Sequence, residues 1–431
     1  MNTEGKNPGR NVSSVSESSD VTPLAGLTVL LVAMYYFPEA TGSAPYTTDV
    51  ARRLAQRGAA VHVIASPPHY PSWRRWADYR NRWGTELVDG VQVHRVPIYV
   101  PRNPTIAKRS LYELSFLAAA APIGISFKPD IVVGTSPSLF GAALAEMVAK
   151  IRHVPLIQLV QDVVSAAPGQ TAQSTDDGPA TRILAKIEGR ALRSAAAVTV
   201  PTDAFRPALV NLGMSGSRIR TIPNWSRLTP YKIDREAERA RLGWGGRFVI
   251  LHTGNIGHKQ SLHRLAPAIE YVGKRERTVS FCFLGAGNQL GQLHRSTQGL
   301  SNVTIQHPVP DAEYFATLHA ADVLLVHEAP SVRNVSLPSK LTAYFAAGQP
   351  VLAVTQDSGA TAEEIAKSRA GVIVPHDEGP QLCAGIRHLM NSRDLRYALA
   401  GNGRTYWQEK LSSERGLAQL QELILTNARA V

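Results

Sequence analysis

Short apolar runs that alternate with helical patterns constrain this chain more than any other feature of its sequence. The run LTVLLVAM at 27–34 carries no charge; a helical pattern begins at Pro45, and a second strand pattern follows the turn residue Gly58. Uninterrupted apolar strands are typical of parallel sheets that are buried on both faces. Further strand patterns lie at 130–134, 155–160, 196–201, 247–255, 279–287, 302–309, 322–328, 350–354 and 370–375. The alternation predicts an α/β protein with two doubly wound, Rossmann-like sheets.

The length of the chain indicates more than one domain. It has 431 residues, which exceeds the size at which a single core usually stops growing. We place one domain at 25–225, a second at 226–410, and a C-terminal helix at 411–431 that could cross back to the first domain. Residues 1–24 are rich in polar and small residues and lack the apolar run of a secretory signal. We therefore expect a disordered leader and a cytoplasmic protein.

An excess of positive charge is concentrated in one segment of the N-terminal half. The chain has 46 Lys and Arg against 34 Asp and Glu, a formal net charge of +12, and Arg52 to Arg109 include eleven basic but three acidic residues. Such a field attracts phosphates on a nucleic acid, an anionic membrane or a charged substrate. The pattern contains no recognised nucleic-acid-binding module, so we expect no nucleic-acid partner.

An aromatic and basic segment at 71–83 is the main candidate for membrane contact. Trp73, Trp76, Tyr79 and Trp83 recur at spacings near three among four arginines. A helix here would carry an aromatic face flanked by cations, which suits a bilayer interface and predicts peripheral association with an anionic membrane surface. The alternative is a loop whose aromatic rings pack on the domain.

Two strand-to-helix loops could hold an anion. Gly42 and Ser43 lie between the first strand and a helix whose first N–H groups can bind a phosphate. Asn255, Gly257 and Lys259 occupy the equivalent place in the second half, where the lysine could neutralise a diphosphate. The first loop lacks the G-x-G-x-x-G pattern, which argues against a nicotinamide-dependent oxidoreductase. An ordinary tight turn and a solvated lysine are the alternatives.

The stretch LPSKLTAYFAAG at 337–348 contains a further helix start. Ser339 can cap this helix, so that its first amides, with Lys340 and Leu341, face the same cleft as Lys259. Two helix starts and two lysines at the carboxyl ends of one sheet predict a pocket for a diphosphate.

Three side chains are candidates for catalysis. Asp162 ends a strand at the predicted cleft edge, His69 lies in PPHYPSW, and Glu328 ends the strand at 322–328 and could reach a sugar. Each has a structural alternative, because an Asp can cap a helix, a His beside prolines can be structural, and a charged residue can simply end a strand.

Several stretches, taken in order, resemble the retaining glycosyltransferases of family 4, which have the GT-B fold, and most closely the colanic-acid and O-antigen (WbuB-like) transferases. The stretches are PEATGSAPYTTDVARRLAQRG, ASPPHYPSW, VHRVPIYVPRNP, LVQD, IPNWS, GNIGHKQ and LPSKLTAYFAAGQPV. The resemblance covers residues 27–425 and implies two Rossmann-like domains that face each other across a cleft.

The resemblance also implies an activity and its substrates. A sugar would move from a nucleotide diphosphate sugar to an acceptor with retained anomeric configuration, without a metal ion or other cofactor. The N-terminal domain would bind the acceptor, with the Gly42 loop beside the donor phosphate. Asp162 would lie in the catalytic region, and Lys259, Ser339 and Lys340 would grip the diphosphate.

The chain departs from the family pattern at the paired glutamates, which would fall at Val335 and Ala343 and usually hold the nucleotide ribose. Asp162 is also followed by VVSAAPG, and Ser261 replaces a family glycine. The leading hypothesis is an enzyme at the inner face of the cell membrane that extends a polyprenyl-diphosphate-linked oligosaccharide for a surface polysaccharide. The alternative is a non-catalytic nucleotide-sugar-binding or scaffold protein.

Overall fold

Two separate sheets of mainly parallel strands organise the chain, as the strand patterns predict. The computed structural model describes residues 23–39, 42–102, 105–163, 179–225, 228, 230–330, 340–357, 359–375 and 378–428. Most of the predicted leader and the predicted cap Ser339 lie outside the described residues.

Eight strands form the N-terminal sheet: β1 (Thr28–Val32), β2 (Ala60–Ala65), β3 (Gly84–Val88), β4 (Val91–Arg95), β5 (Ile131–Thr135), β6 (Leu156–Leu159), β7 (Ala197–Val200) and β8 (Ile219–Thr221). Their order is β3-β4-β2-β1-β5-β6-β7-β8, and neighbours are parallel except in the β3–β4 hairpin. Its helices are α1 (Ala44–Gln56), α2 (Ile106–Ser126), α3 (Leu139–Arg152), α4 (Pro179–Ser194) and α5 (Arg206–Asn211). The strand order reverses beside β1, and open α/β sheets bind ligands beyond the carboxyl ends of the strands at such a point.

Strand β1 is buried on both faces of this sheet. Leu30 and Val32 belong to one buried cluster, whereas Val29 and Leu31 belong to a second one on the other face. All four side chains are inaccessible to solvent, and each such burial contributes roughly 1.5–3 kcal/mol relative to exposure. The uninterrupted apolar run is therefore explained by helices that cover both faces.

Six parallel strands form the C-terminal sheet: β9 (Phe248–Asn255), β10 (Val279–Ala286), β11 (Val303–Gln306), β12 (Val323–His327), β13 (Val351–Val354) and β14 (Gly371–Val374). Their order is β11-β10-β9-β12-β13-β14, so the order reverses between β9 and β12. The remaining α-helices are α6 (Arg235–Arg241), α7 (Ala266–Arg275), α8 (Leu290–Ser296), α9 (Asp311–Ala320), α10 (Lys340–Ala347), α11 (Ala360–Ser368), α12 (Gly379–Asn391), α13 (Arg393–Tyr406) and α14 (Ser413–Ala428). The expected pair of doubly wound sheets is confirmed.

Helix α14 packs against the N-terminal domain. Its residues Leu417, Leu420 and Ile424 are buried in the same cluster as Val29 and Leu31 of β1. Glu414 at its start also forms ion pairs with Arg53 of α1 at 3.0 Å and with Arg57, the residue directly after α1, at 3.1 Å. The chain thus returns to its first domain after it completes the second.

The segment 71–83 does not form the helix that its aromatic spacing suggests; it is a series of turns and bends. Trp73 has a φ of 54°, in the left-handed region, which a right-handed helix excludes. The Trp73 ring packs against Tyr112 with the ring centroids 5.4 Å apart, whereas Trp83 remains 59% exposed. The alternative of a loop with packed rings therefore fits Trp73 but not Trp83.

Helix α2 is 21 residues long and contains Pro122. It includes most of the uncharged stretch LSFLAAAAPIGISF at 114–127. Among the described residues, no helix combines the length and the apolar character that crossing a bilayer requires.

We expect Gly416→Ala to destabilise the protein. A Cβ on Gly416 of α14 would lie 2.3 Å from Cε3 of Trp225, and this indole is held by a 2.6 Å hydrogen bond from its Nε1 to Asp49. Overpacking of this kind costs about 1–3 kcal/mol in the free energy of unfolding. The matched control is Gly401→Ala in α13, where a Cβ meets nothing within 4 Å, and helix propensity predicts a gain of about 0.5–1 kcal/mol. Equal urea midpoints for the two variants would contradict this packing.

Candidate active site

The carboxyl ends of the two sheets meet across a cleft. Asp162 follows β6 of the N-terminal sheet and Lys259 follows β9 of the C-terminal sheet, and Oδ1 of Asp162 lies 3.9 Å from Nζ of Lys259. Both side chains are about half exposed, at 45% and 53%. This pair of charged groups on the two loops is therefore open to solvent and to a ligand.

The loop that carries Asp162 is fixed from the neighbouring strand β5. The backbone N–H groups of Gln161 and Asp162 both donate to Oγ of Ser136, at 2.7 Å and 3.1 Å. The half-enclosed position of the Asp162 carboxyl raises its pKa, and the positive charge of Lys259 opposes this rise. The backbone of Asp162 is thus fixed, and its carboxyl group lies at the cleft edge, where the sequence predicts it.

Gly42 lies beneath the ring of Tyr70. Gly42 has a φ of 69°, a conformation that favours glycine, and a Cβ at this position would lie 3.5 Å from Cε1 of Tyr70. Ser43 directly precedes α1 and makes no side-chain capping bond there. Burial raises the pKa of the Tyr70 hydroxyl, and the negative charge of Asp162 adds to this effect. Tyr70 therefore lies close to both the Gly42 loop and the Asp162 carboxyl, and no pattern in the sequence indicates this position.

His69 is fully buried directly before Tyr70. Its Nδ1 lies 2.8 Å from the Pro67 carbonyl, and its Nε2 lies 2.7 Å from the Tyr112 hydroxyl. Burial lowers the pKa of the imidazole, so the neutral ring donates to the carbonyl and accepts from the hydroxyl. Both ring nitrogens are used within the protein, which favours a structural role for His69 over the predicted acid–base role.

Glu39 holds the backbone of this loop. Its Oε1 accepts the N–H groups of both His69 and Tyr70 at 2.7 Å. The residue is 3% exposed, and burial raises the pKa of its carboxyl despite the two hydrogen bonds. The carboxylate and His69 together fix the place of the Tyr70 ring.

In the C-terminal domain, the side chain of Gln260 closes the predicted anion loop. Its Oε1 accepts the N–H of Gly257 at 3.2 Å and lies 3.3 Å from Nδ2 of Asn255. The N–H of Gly257 is thus bonded inside the loop in this structure. Lys259 projects beyond this turn toward Asp162, so the lysine, rather than the Gly257 amide, faces the cleft.

Glu328 lies beside the same loop, because the N–H of Ala329 donates to the carbonyl of Lys259 at 2.8 Å. Its Oε2 accepts the hydroxyl of Thr355 at 2.6 Å, and burial raises the pKa of the carboxyl. The structure therefore places Glu328 and the loop of Lys259 together at the carboxyl ends of β9 and β12.

Lys340, the first residue of α10, is directed into the C-terminal domain. Its Nζ lies 2.9 Å from Nε2 of His252, whose Nδ1 lies 3.1 Å from the Leu325 carbonyl. Because Nδ1 donates to that carbonyl, Nε2 accepts from the lysine. Burial lowers the pKa of Lys340 to about 7, and the carboxyl of Glu328 opposes this shift.

The predicted diphosphate residues thus divide into two groups. Lys259 pairs across the cleft with Asp162, whereas Lys340 pairs within its own domain with His252. Leu341 is 1% exposed and belongs to the core, so only its backbone could reach a ligand. In the sequence, both lysines lie near a predicted helix start. Their different surroundings become visible only in the fold.

Comparisons with known proteins agree with this architecture. Residues 41–225 match the glycosyl transferase 4-like domain family, and residues 247–392 match the glycosyl transferases group 1 family. The chain is 28% identical over 378 residues to the putative colanic acid biosynthesis glycosyl transferase WcaI of Escherichia coli K12, with 84% of this chain and 92% of WcaI covered.

Solved structures show the same fold. Sucrose-phosphate synthase from Thermosynechococcus elongatus has a TM-score of 0.76 at 15% identity, over 94% of this chain and all of that one. HepE from Anabaena, solved in complex with UDP-glucose, has a TM-score of 0.64 at 15% identity, over 93% of this chain and all of HepE. With two facing Rossmann-like domains and both family domains in order, the chain belongs to the group 1 glycosyltransferases of the GT-B fold.

Proposed function

We propose that this glycosyltransferase moves a sugar from a nucleotide diphosphate sugar to a polyprenyl-diphosphate-linked oligosaccharide, with retention, during the synthesis of a surface polysaccharide. The observation that carries the proposal is the pairing of Lys259 with Asp162 across the cleft at 3.9 Å. The similarity to WcaI supports the pathway, and the UDP-glucose complex of HepE supports the donor class.

The chemistry of the leaving group explains why a lysine is needed at this place. When the glycosidic bond to the donor breaks, negative charge grows on the diphosphate oxygens. A fixed cation beside those oxygens lowers the barrier, and the loss of one such donor group costs about 3–4 kcal/mol in well-studied enzymes. Lys259 would supply this charge, while Asp162, across the cleft, would lie near the reacting sugar and Glu328 near the donor.

The acceptor would bind on the N-terminal side, near Gly42 and Tyr70. An aromatic ring held over a glycine offers a flat apolar face to a sugar ring. We further propose that the enzyme works on the cytoplasmic face of the cell membrane as a peripheral protein, since eleven basic but three acidic residues lie between Arg52 and Arg109.

A non-catalytic nucleotide-sugar-binding protein is the second candidate. Ala343, at the place of one family glutamate, is 8% exposed and packs in the core of the C-terminal domain, so it offers no carboxylate to a ribose. A panel of nucleotide sugars in a thermal-shift assay identifies the donor, because a ligand that binds only the folded state raises Tm. Turnover of that donor by the purified enzyme would exclude the second candidate, and binding without turnover on every acceptor would favour it.

We expect Lys259→Ala to lower kcat/KM for sugar transfer at least tenfold, because the variant removes a cation from the leaving diphosphate. The matched control is Lys274→Ala, which removes an exposed lysine paired with Glu270 on α7 and should leave transfer unchanged. Initial rates with the donor from the thermal-shift panel provide the test. Full activity in Lys259→Ala would show that the pocket is elsewhere.

The lowered pKa of Lys340 predicts that the protein takes up a proton when the donor binds. The pKa of this lysine is about 7, and a nearby diphosphate would favour the ammonium form and raise this pKa. Near pH 8 the lysine is mostly neutral before binding, so binding adds close to one proton and affinity falls as pH rises above 7. At pH 6 the lysine is already charged and the uptake disappears.

Titration calorimetry in two buffers of different ionisation enthalpy measures this uptake. The wild type should show buffer-dependent binding heat at pH 8 and much less at pH 6, and Lys340→Met should lose the difference. His252 and Glu328 lie near Lys340 and contribute to the total proton uptake, so the change between wild type and variant is the decisive quantity. Equal proton uptake in both proteins would show that the diphosphate does not bind beside Lys340.

A further inference from the structure

A basic groove of about 890 Å³ opens on the N-terminal domain beside the cleft. We name it the arginine groove and define it by Arg74, Arg75, Arg102, Trp73 and Tyr99, which lie along its walls. None of the residues proposed above for transfer lies in it, so its charge calls for a separate explanation.

The walls of the groove are joined by hydrogen bonds. The side chain of Asn81 donates to the Ile98 carbonyl at 3.0 Å and accepts the Ile98 N–H at 2.9 Å, which joins the 71–83 loop to the segment after β4. Oγ of Ser115 on α2 accepts the N–H of Tyr99 at 2.9 Å. The groove is therefore formed before any ligand arrives.

Trp73 connects the groove to the active site. Its ring packs against Tyr112 at 5.4 Å and His69 at 6.3 Å between centroids, and the Arg109 guanidinium lies 5.3 Å from its ring. Its φ of 54° is unusual for a bulky residue and costs of order 1–3 kcal/mol. The fold holds this strained aromatic residue between the groove and the residue that precedes Tyr70.

The charge of the groove is unbalanced. Arg74, Arg75 and Arg102 are exposed, no lining residue is acidic, and among the described residues none of the three forms an ion pair. Arg95 nearby shows the contrast, since it is buried and paired with Glu86 at 2.6 Å. Guanidinium groups bind phosphate oxygens in a bidentate manner, so three of them around one groove match a ligand with several phosphate oxygens.

We propose that the arginine groove binds the diphosphate of the lipid-linked acceptor, so that its sugar chain extends past Trp73 toward Tyr70 and Asp162. This inference rests on the proposed function and adds the place where the acceptor is held. Tyr99 is 40% exposed and would lie along the ligand. Trp76 and Trp83 are 40% and 59% exposed and would contact the bilayer interface from which the isoprenoid emerges. Recognition of the diphosphate holds the acceptor independently of the nucleotide sugar.

Binding of farnesyl diphosphate tests the groove without knowledge of the acceptor sugar. We compare wild type with the triple variant Arg74→Gln, Arg75→Gln, Arg102→Gln by titration calorimetry, with farnesol as the uncharged probe. The expected result is at least tenfold weaker binding of farnesyl diphosphate in the triple variant, and no binding of farnesol by either protein. The control variant Arg80→Gln, Arg82→Gln, Lys108→Gln removes the same charge outside the groove and should bind like wild type.

Two further arms separate the groove from other sites. Lys259→Ala should bind farnesyl diphosphate like wild type, and a loss there would move the ligand to the donor pocket and overturn the proposal. Vesicles of phosphatidylcholine with and without phosphatidylglycerol test the bilayer as the source of phosphate. If the triple variant loses binding to phosphatidylglycerol vesicles but keeps farnesyl diphosphate, the groove recognises bulk lipid and the proposal fails.

Folding and donor binding are measured on the same variants. The triple variant should keep the Tm of wild type and its Tm increase with the nucleotide sugar; if it unfolds, Arg75→Gln and Arg102→Gln are tested singly for a loss of at least threefold. The groove proposal is overturned if these folded variants bind farnesyl diphosphate with unchanged affinity. It is also overturned if the wild type does not bind farnesyl diphosphate at all. Failure of sugar transfer with every donor would instead overturn the proposed function, so the two failures are distinct.

Discussion

Burial of the parallel strands on both faces is the constraint on which the structure depends. In β1 and β12 the apolar side chains of both faces are covered by other elements, so the faces are used for packing and only the strand ends are open to chemistry. Parallel strands place their carboxyl ends at one edge. This is why Gly42, Asp162, Lys259 and Glu328, far apart in the sequence, gather around one cleft.

The two lysines show how the same local pattern acquires different chemistry. Lys259 follows a turn that Gln260 closes, and its side chain extends into solvent between the domains. Lys340 begins a helix whose next residues are buried in the core, so its ammonium meets an imidazole and loses hydration. Helix position alone predicts a cation at each place, but the surrounding packing decides which of the two is buried away from water.

The fold could be predicted because hydrophobic periodicity reports burial, and burial determines the elements and their alternation. The predicted strands do not include the β3–β4 hairpin, although Asp89-Gly90 between two alternating strands is a strong hairpin signal. Tyr70 and Gln260 could not be assigned, because both act through loop contacts that no periodicity encodes. The helix predicted for 71–83 is wrong for a related reason. Aromatic spacing near three indicates a helix only where the backbone adopts helical dihedral angles, and Trp73 does not.

The passage of the chain between the domains has a mechanical consequence. It leaves the first domain after Trp225 and comes back at α14, and Gly416 of that helix packs directly under the Trp225 indole. The two connections therefore form one pivot and not two separate tethers. A domain rotation that kept this contact would change the distance between Asp162 and Lys259 without opening either hydrophobic core.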